Sequence, residues 1–174
     1  MSSSERALRV RRPAVPQVAG RPLPLTAADL AEILPHRSAF ALLDRVDEVE
    51  AGRRAAGVML PSRSSPYFDG HFPGRPVLPG VLLIETLGQL SGVVLWSGAM
   101  EGTLPPRTVA GLGVLAGVKR IRFRHFVAPG EVVSLRTTLV AGLGQAFEFS
   151  VSARVGQVLV AEGSLQIGFV KEGS

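Results

Sequence analysis

Between Gly80 and about Ser97 the chain carries its one sustained helical pattern, and that stretch limits what the rest can become. Leu83, Leu87, Leu90 and Val94 recur at steps of three or four residues and fall on one stripe. Glu85 and Gln89, four apart, share another, and Gly88 and Gly92 make a flat strip. The wider run Val77–Met100 resembles a membrane span in its apolarity. Glu85 and Gln89 interrupt it, whereas a spanning helix needs about 20 nearly uncharged residues. A buried helix in a soluble protein is expected. A glycine in a helix interior costs about 1 kcal/mol relative to alanine. Two at that spacing predict close approach of another backbone, such as a sheet wrapped around the helix; glycines tolerated on a surface face are the alternative.

The rest of the chain supplies that sheet. Thr108–Val118 leads into Ile121 and Phe123, and Glu131–Val140, Phe147–Val155 and Val158–Val170 follow, with breaks at Pro129-Gly130, Gly142–Gly144 and Gly156. Val133, Leu135, Thr137 and Leu139 alternate with Val132, Ser134, Arg136 and Thr138, the period of a half-buried antiparallel strand. Upstream, Thr26 caps a short helix that runs through Ile33 and stops at Pro35. Phe40–Val49 and Arg54–Leu60 read as strands around Gly52, and Pro61–Pro79 shows neither period. The expected class is α+β: one long central helix and an antiparallel sheet of five or six strands.

The chain has 174 residues, 46% of them hydrophobic and 19% charged, which suits one globular domain. It contains no cysteine, so disulfides, thiolate catalysis and cysteine–zinc sites are excluded. The formal charge is +5, but Met1–Pro24 holds five arginines against one acid, Glu5, which accounts for four of those five charges. A basic flexible arm over 1–24 and a near-neutral domain over 25–174 are expected. The arm could touch RNA, a membrane or an acidic protein; a solvated terminus is the expectation, with no nucleic-acid partner and no membrane span. No apolar core follows the N-terminal charges, so no secretory signal is read, and a cytoplasmic location is expected.

His71 stands in Tyr67-Phe68-Asp69-Gly70-His71-Phe72-Pro73-Gly74-Arg75-Pro76-Val77-Leu78-Pro79-Gly80, where prolines restrict the backbone and glycines permit unusual dihedrals. Such a segment holds a side chain in place, for structure or for chemistry. Glu85 lies in an otherwise apolar helix, where burial favours the neutral acid. It is either an acid catalyst or a structural hydrogen-bond partner of Gln89 or a strand backbone. The helix start at Gly80 and Val81 offers unpaired N–H groups to a developing oxyanion. A base, an acid and an oxyanion site together suit proton abstraction beside a carbonyl. No metal-binding pattern, P-loop, dinucleotide fingerprint or nucleophile elbow is found in the sequence. Lys119, Arg120, Arg122 and Arg124 form a basic cluster, either a solvated face or a docking patch for an acidic carrier protein, with His125 on the same surface. His36 and Arg37 are expected to cap or brace the strand near Phe40.

Leu34-Pro35-His36-Arg37, Leu43-Asp44-Arg45-Val46, Gly70-His71-Phe72-Pro73-Gly74-Arg75-Pro76-Val77-Leu78-Pro79-Gly80-Val81-Leu82, Glu85, and Phe123-Arg124 with Val127-x-Pro129-Gly130 together resemble the FabZ-type 3-hydroxyacyl-[acyl-carrier-protein] dehydratases. The likeness covers roughly Leu25–Val170. It implies a hotdog fold and a homodimer, often assembled as a trimer of dimers, with active sites shared between subunits. It implies catalysis by His71 as base and Glu85 as acid, from different chains. Gly80 and Val81 would lie at the oxyanion, Phe72 and Gln89 beside the substrate, and Gln89 would orient the acid. It implies no metal or redox cofactor, the acyl group riding on the phosphopantetheine of an acyl carrier protein. Glutamate at 85 resembles the branch that only dehydrates, aspartate being typical of the isomerising branch. Ser38-Ala39, His125-Phe126 and Thr86-Leu87-Gly88 depart from the usual pattern and leave the acyl-chain preference and the pathway open. The alternatives are a hotdog thioesterase and a non-catalytic acyl-binding subunit.

Overall fold

The computed structural model of the protein describes residues 16–106 and 112–170. A two-stranded hairpin, β1 (Gln17–Val18) and β2 (Arg21–Pro22), precedes α1 (Ala27–Ile33). Thr26 and Asp29 cap α1 reciprocally: the Thr26 hydroxyl accepts from the Asp29 N–H, and the Asp29 carboxylate accepts from the Thr26 N–H. Then come β3 (Arg45–Glu50), β4 (Arg54–Met59), the short α2 (Tyr67–Gly70) and the 21-residue α3 (Gly80–Met100). Four long strands finish the chain: β5 (Leu112–Phe123), β6 (Val133–Leu143), β7 (Ala146–Val155) and β8 (Val158–Val170).

The sheet order is β3-β4-β6-β7-β8-β5, antiparallel throughout. It wraps around α3, the arrangement expected of a hotdog fold. The stripe Leu83, Leu87, Leu90 and Val94 is buried, and it meets the buried faces of β6, β7 and β8, including Val133, Leu135, Phe149 and Leu165. On β6 the alternation holds: Val133, Leu135 and Thr137 are buried while Ser134, Arg136 and Thr138 are exposed. α3 is the one described helix long and apolar enough to cross a membrane, and it is packed as the core helix.

The structure departs from the sequence reading in four places. Residues 16–24, assigned to the arm, fold onto the body: Val18 is buried, Leu23 packs on the core, and Arg21 pairs with Asp29 at 3.2 Å and Glu32 at 2.7 Å. The strand expected from Phe40 begins only at Arg45, after a 3₁₀ turn at Ser38–Phe40. The cause is Gln89 of α3, whose side chain takes up the Phe40 carbonyl and the Leu42 and Leu43 N–H groups. The loop 61–79 contains α2, anchored by buried Phe68. The close backbone approach expected at Gly88 and Gly92 occurs instead at Gly98, one residue beyond the expected helix end. A Cβ built on Gly98 would lie 2.6 Å from the Gly52 Cα, and the Gly52 N–H bonds the Val94 carbonyl at 3.2 Å. Gly88 faces open space, and a Cβ on Gly92 would meet only a Leu34 methyl at 3.1 Å.

Candidate active site

His71 closes α2 and is held by the loop that follows. Its Nδ1 is 2.8 Å from the Val77 carbonyl, and the Val77 N–H returns a 2.8 Å bond to the His71 carbonyl. A carbonyl only accepts, so Nδ1 carries the hydrogen, and in the neutral ring Nε2 is the nitrogen with the lone pair. The ring stacks on Phe72 at 4.2 Å, and the Leu78 N–H bonds the Val127 carbonyl, tying the loop to the sheet end. Histidine with a committed Nδ1–H and a free Nε2 is arranged as a base.

α3 starts beside this loop. The Leu82 and Leu83 N–H groups reach the Pro79 carbonyl at 3.0 and 3.4 Å. Those of Gly80 and Val81 have no acceptor among the described residues, so they remain free to bind an oxyanion. The glycine at 80 is explained by packing as well: a Cβ there would fall 2.7 Å from the Phe123 ring, which covers the helix start. Val81 is 70% exposed and Phe72 54%, so both are available to a substrate or another chain.

One and a half turns further, Glu85 is the hub of a polar cluster. Its Oε1 accepts from Gln89 Nε2 at 3.0 Å and lies 3.1 Å from His36 Nε2. The carboxyl is not sealed in as the sequence suggested: its side chain is 24% exposed. Gln89 is itself buried. The Leu42 and Leu43 N–H groups require its oxygen on one side, which turns its amide N–H groups toward Phe40 and Glu85. Glu85 opens on a cavity of about 570 Å³ that runs along α3 past Gly88 and Gly92 to Trp96 and Met100, walled by Leu34 and the start of β5. The two glycines serve as its floor.

His71 does not line this cavity, and no hydrogen bond or ion pair joins it to Glu85 among the described residues. His36 was expected to brace a strand and instead meets Glu85. Arg37 bonds the Leu34 and His36 carbonyls, at 2.7 Å each, and so fixes the turn that carries His36. The sequence signal for His36 lay only in its motif, since no local period links it to a residue 49 positions away.

The basic cluster is divided. Arg124 pairs with Glu162, and Lys119 stands 3.5 Å from Glu148. A bulge between Lys119 and Arg122 places Arg120 at φ +51°. Gly163 opposite makes room, because a Cβ there would lie 2.8 Å from the Ile121 Cα. Arg120 and Arg122 line an outward trough of about 500 Å³ together with Arg136, Ser150, Ser152 and Ser164. His125 is exposed.

A family model described as a FabA-like domain matches residues 34–164. The 3-hydroxyacyl-[acyl-carrier-protein] dehydratase FabZ of Moorella thermoacetica is 46% identical over 133 residues, 76% of this chain and 88% of the relative. The protein of the same name from Herpetosiphon aurantiacus is 39% identical over 151 residues, 84% of this chain and 99% of the relative. Among solved structures, the dehydratase heterocomplex ApeI:P from Xenorhabdus doucetiae aligns with a TM-score of 0.66 at 24% identity, covering 82% of this chain and 91% of that one, a likeness of fold.

Proposed function

The chain belongs to the FabA-like domain family and is a 3-hydroxyacyl-[acyl-carrier-protein] dehydratase, a hydro-lyase; from that premise we propose that its catalysis runs through His71 of one subunit and Glu85 of another. His71 Nε2 removes the proton from C2 of the 3-hydroxyacyl thioester. The Gly80 and Val81 N–H groups stabilise the thioester oxygen as charge builds. Glu85 of the partner subunit gives a proton to the 3-hydroxyl as the C3–O bond breaks, and water leaves a trans-2-enoyl thioester. Phe72 flanks the substrate and Gln89 holds the acid. The acyl group arrives on the phosphopantetheine of an acyl carrier protein, with no metal or redox cofactor. Arg120 and Arg122 are the freest members of the proposed docking patch, since Lys119 and Arg124 face acids of their own chain. The work belongs to cytoplasmic fatty-acid or related acyl-chain synthesis.

The observation that carries this reading is a base and an acid, each held by its own hydrogen bonds, that do not meet within one chain. β5 supports a second copy beside the first. It is a 12-residue edge strand with Leu112, Leu115, Val118 and Phe123 at 39–50% exposure, its outer edge unpaired among the described residues and open to a second β5. These features support a homodimer, with a trimer of dimers as its proposed assembly. The test mixes two inactive variants. His71→Ala and Glu85→Ala should each lose nearly all enoyl formation, and subunit exchange between them should restore part of it. Full activity in either variant, or none in the exchanged mixture, would reject the shared pair.

A further inference from the structure

We infer that His36 is a positioning residue for the acid: as the neutral Nε2–H tautomer it joins Gln89 in donating to Oε1 of Glu85, so that the proton used in dehydration sits on Oε2. This rests on the reading of Glu85 as the acid.

Two observations favour this tautomer for the neutral ring. His36 Nε2 lies 3.1 Å from Glu85 Oε1, and His36 Nδ1 is buried with no hydrogen-bond partner among the described residues. A hydrogen on Nδ1 would be an orphaned buried donor, which native structures avoid more strictly than an unused acceptor. A doubly protonated ring would add a charge to that orphan. Nε2–H with a bare Nδ1 is the arrangement left, and it makes His36 a donor. Gln89 Nε2 donates to the same oxygen from 3.0 Å. The two donors come from separate anchors. Gln89 is locked by Phe40, Leu42 and Leu43, and His36 by the turn that Arg37 ties through the Leu34 and His36 carbonyls. Together they set the torsion of the carboxyl group.

With Gln89 Nε2 bonded to Oε1 and His36 Nε2 3.1 Å from the same oxygen, Oε2 is the oxygen with no donor among the described residues, and the cavity is where it can act. In the elimination the Oε2–H bond breaks as the proton passes to the 3-hydroxyl oxygen. The C3–O bond breaks with its electron pair, and water departs. The carboxylate left behind keeps two N–H donors on Oε1 and transfers no proton to His36. These donors are stronger toward the carboxylate than toward the acid, so they favour the step.

His36→Leu and His36→Ala remove the donor with and without filling its volume, and His36→Gln returns an N–H from the same turn. Each is measured with carrier-bound 3-hydroxyacyl substrate, alongside thermal melting. The donor-free variants should lose about tenfold to a hundredfold in kcat, with KM changed by less than about threefold. His36→Gln should recover most of the loss. In a Glu85→Gln background, removing His36 should cause no further fall, because it acts through the carboxyl. Unchanged kcat in a folded donor-free variant overturns the inference, as does an equal fall in the Glu85→Gln background. If neither donor-free variant folds, wild-type-like kcat in a folded His36→Gln supports the inference and a kcat as low as that of Glu85→Gln overturns it. These outcomes leave the dehydratase reading standing so long as Glu85→Ala is inactive. A wild-type protein without turnover overturns both.

Discussion

Gln89 uses both amide hydrogens and both oxygen lone pairs inside the fold, and only one of those bonds goes to the acid. Replacing it with leucine strands the Leu42 and Leu43 N–H groups and the Phe40 carbonyl, each an unpaired group worth about 1–3 kcal/mol when buried. Gln89→Leu should therefore lose several-fold in kcat and also about 3 kcal/mol or more in urea denaturation. A variant equal to wild type in stability would show that this loop does not depend on Gln89. Asp29 makes a prediction about pH. The Thr26 hydroxyl and N–H, with Arg21, hold its carboxyl below the ordinary value of 3.8. A lowered value means the folded state favours the ionised form. That stabilisation is complete above about pH 3.8 and drains away as pH falls through the lower folded value. The stability gap between wild type and Asp29→Asn should shrink steadily below that pH in urea melts. A gap unchanged at the acid end would exclude the charge as its source.

At the scale of elements, α3 and β6 are joined by a buried pair of hydroxyls. Ser91 Oγ donates to the Leu87 carbonyl at 2.9 Å and so accepts from the Thr137 hydroxyl at 2.7 Å. The two ends are unequal. Ser91→Ala leaves a buried Thr137 hydroxyl without an acceptor and should cost about 1–3 kcal/mol, whereas Thr137→Val leaves Ser91 bonded to Leu87 and should cost under about 1 kcal/mol. Chemical denaturation of both variants checks the order, and a reversed order would mean that Ser91 is the donor. The apolar contacts around the same pair weigh more. Leu87 is fully buried between helix and sheet, and Leu87→Ala should cost about 2–5 kcal/mol.

At the scale of the whole molecule, a single chain has a base at one end of α3, an acid facing a cavity walled in part by β5, and, among the described residues, an uncovered outer edge on that strand. A lysine at Val118, which is 47% exposed on that edge, should repel a second β5. Val118→Lys is expected to lower the sedimenting mass and the activity together while leaving the circular dichroism intact. Loss of mass with full activity would mean that one chain suffices.

The central helix, the alternating β6 and the rigid loop around His71 were all legible in the sequence, because each is written in neighbouring residues: a period of 3.6 or 2, or a run of glycine and proline. Local periods say which face is buried and are silent on what lies opposite. Val18 and Leu23 looked like part of a tail until a hairpin carried them onto the core, and Gly88 and Gly92 looked like a backbone contact until the space beside them proved to be a cavity floor. Gln89 and the turn at Phe40–Leu43, or His36 and Glu85, stand 46 to 49 residues apart, and nothing local pairs them. By itself the sequence determined that there would be one buried helix, a half-buried sheet and a histidine held in a stiff loop. Only the tertiary structure decided which groups the carboxyl of Glu85 would meet, because hydrogen-bond partners that far apart are chosen by how the chain closes on itself.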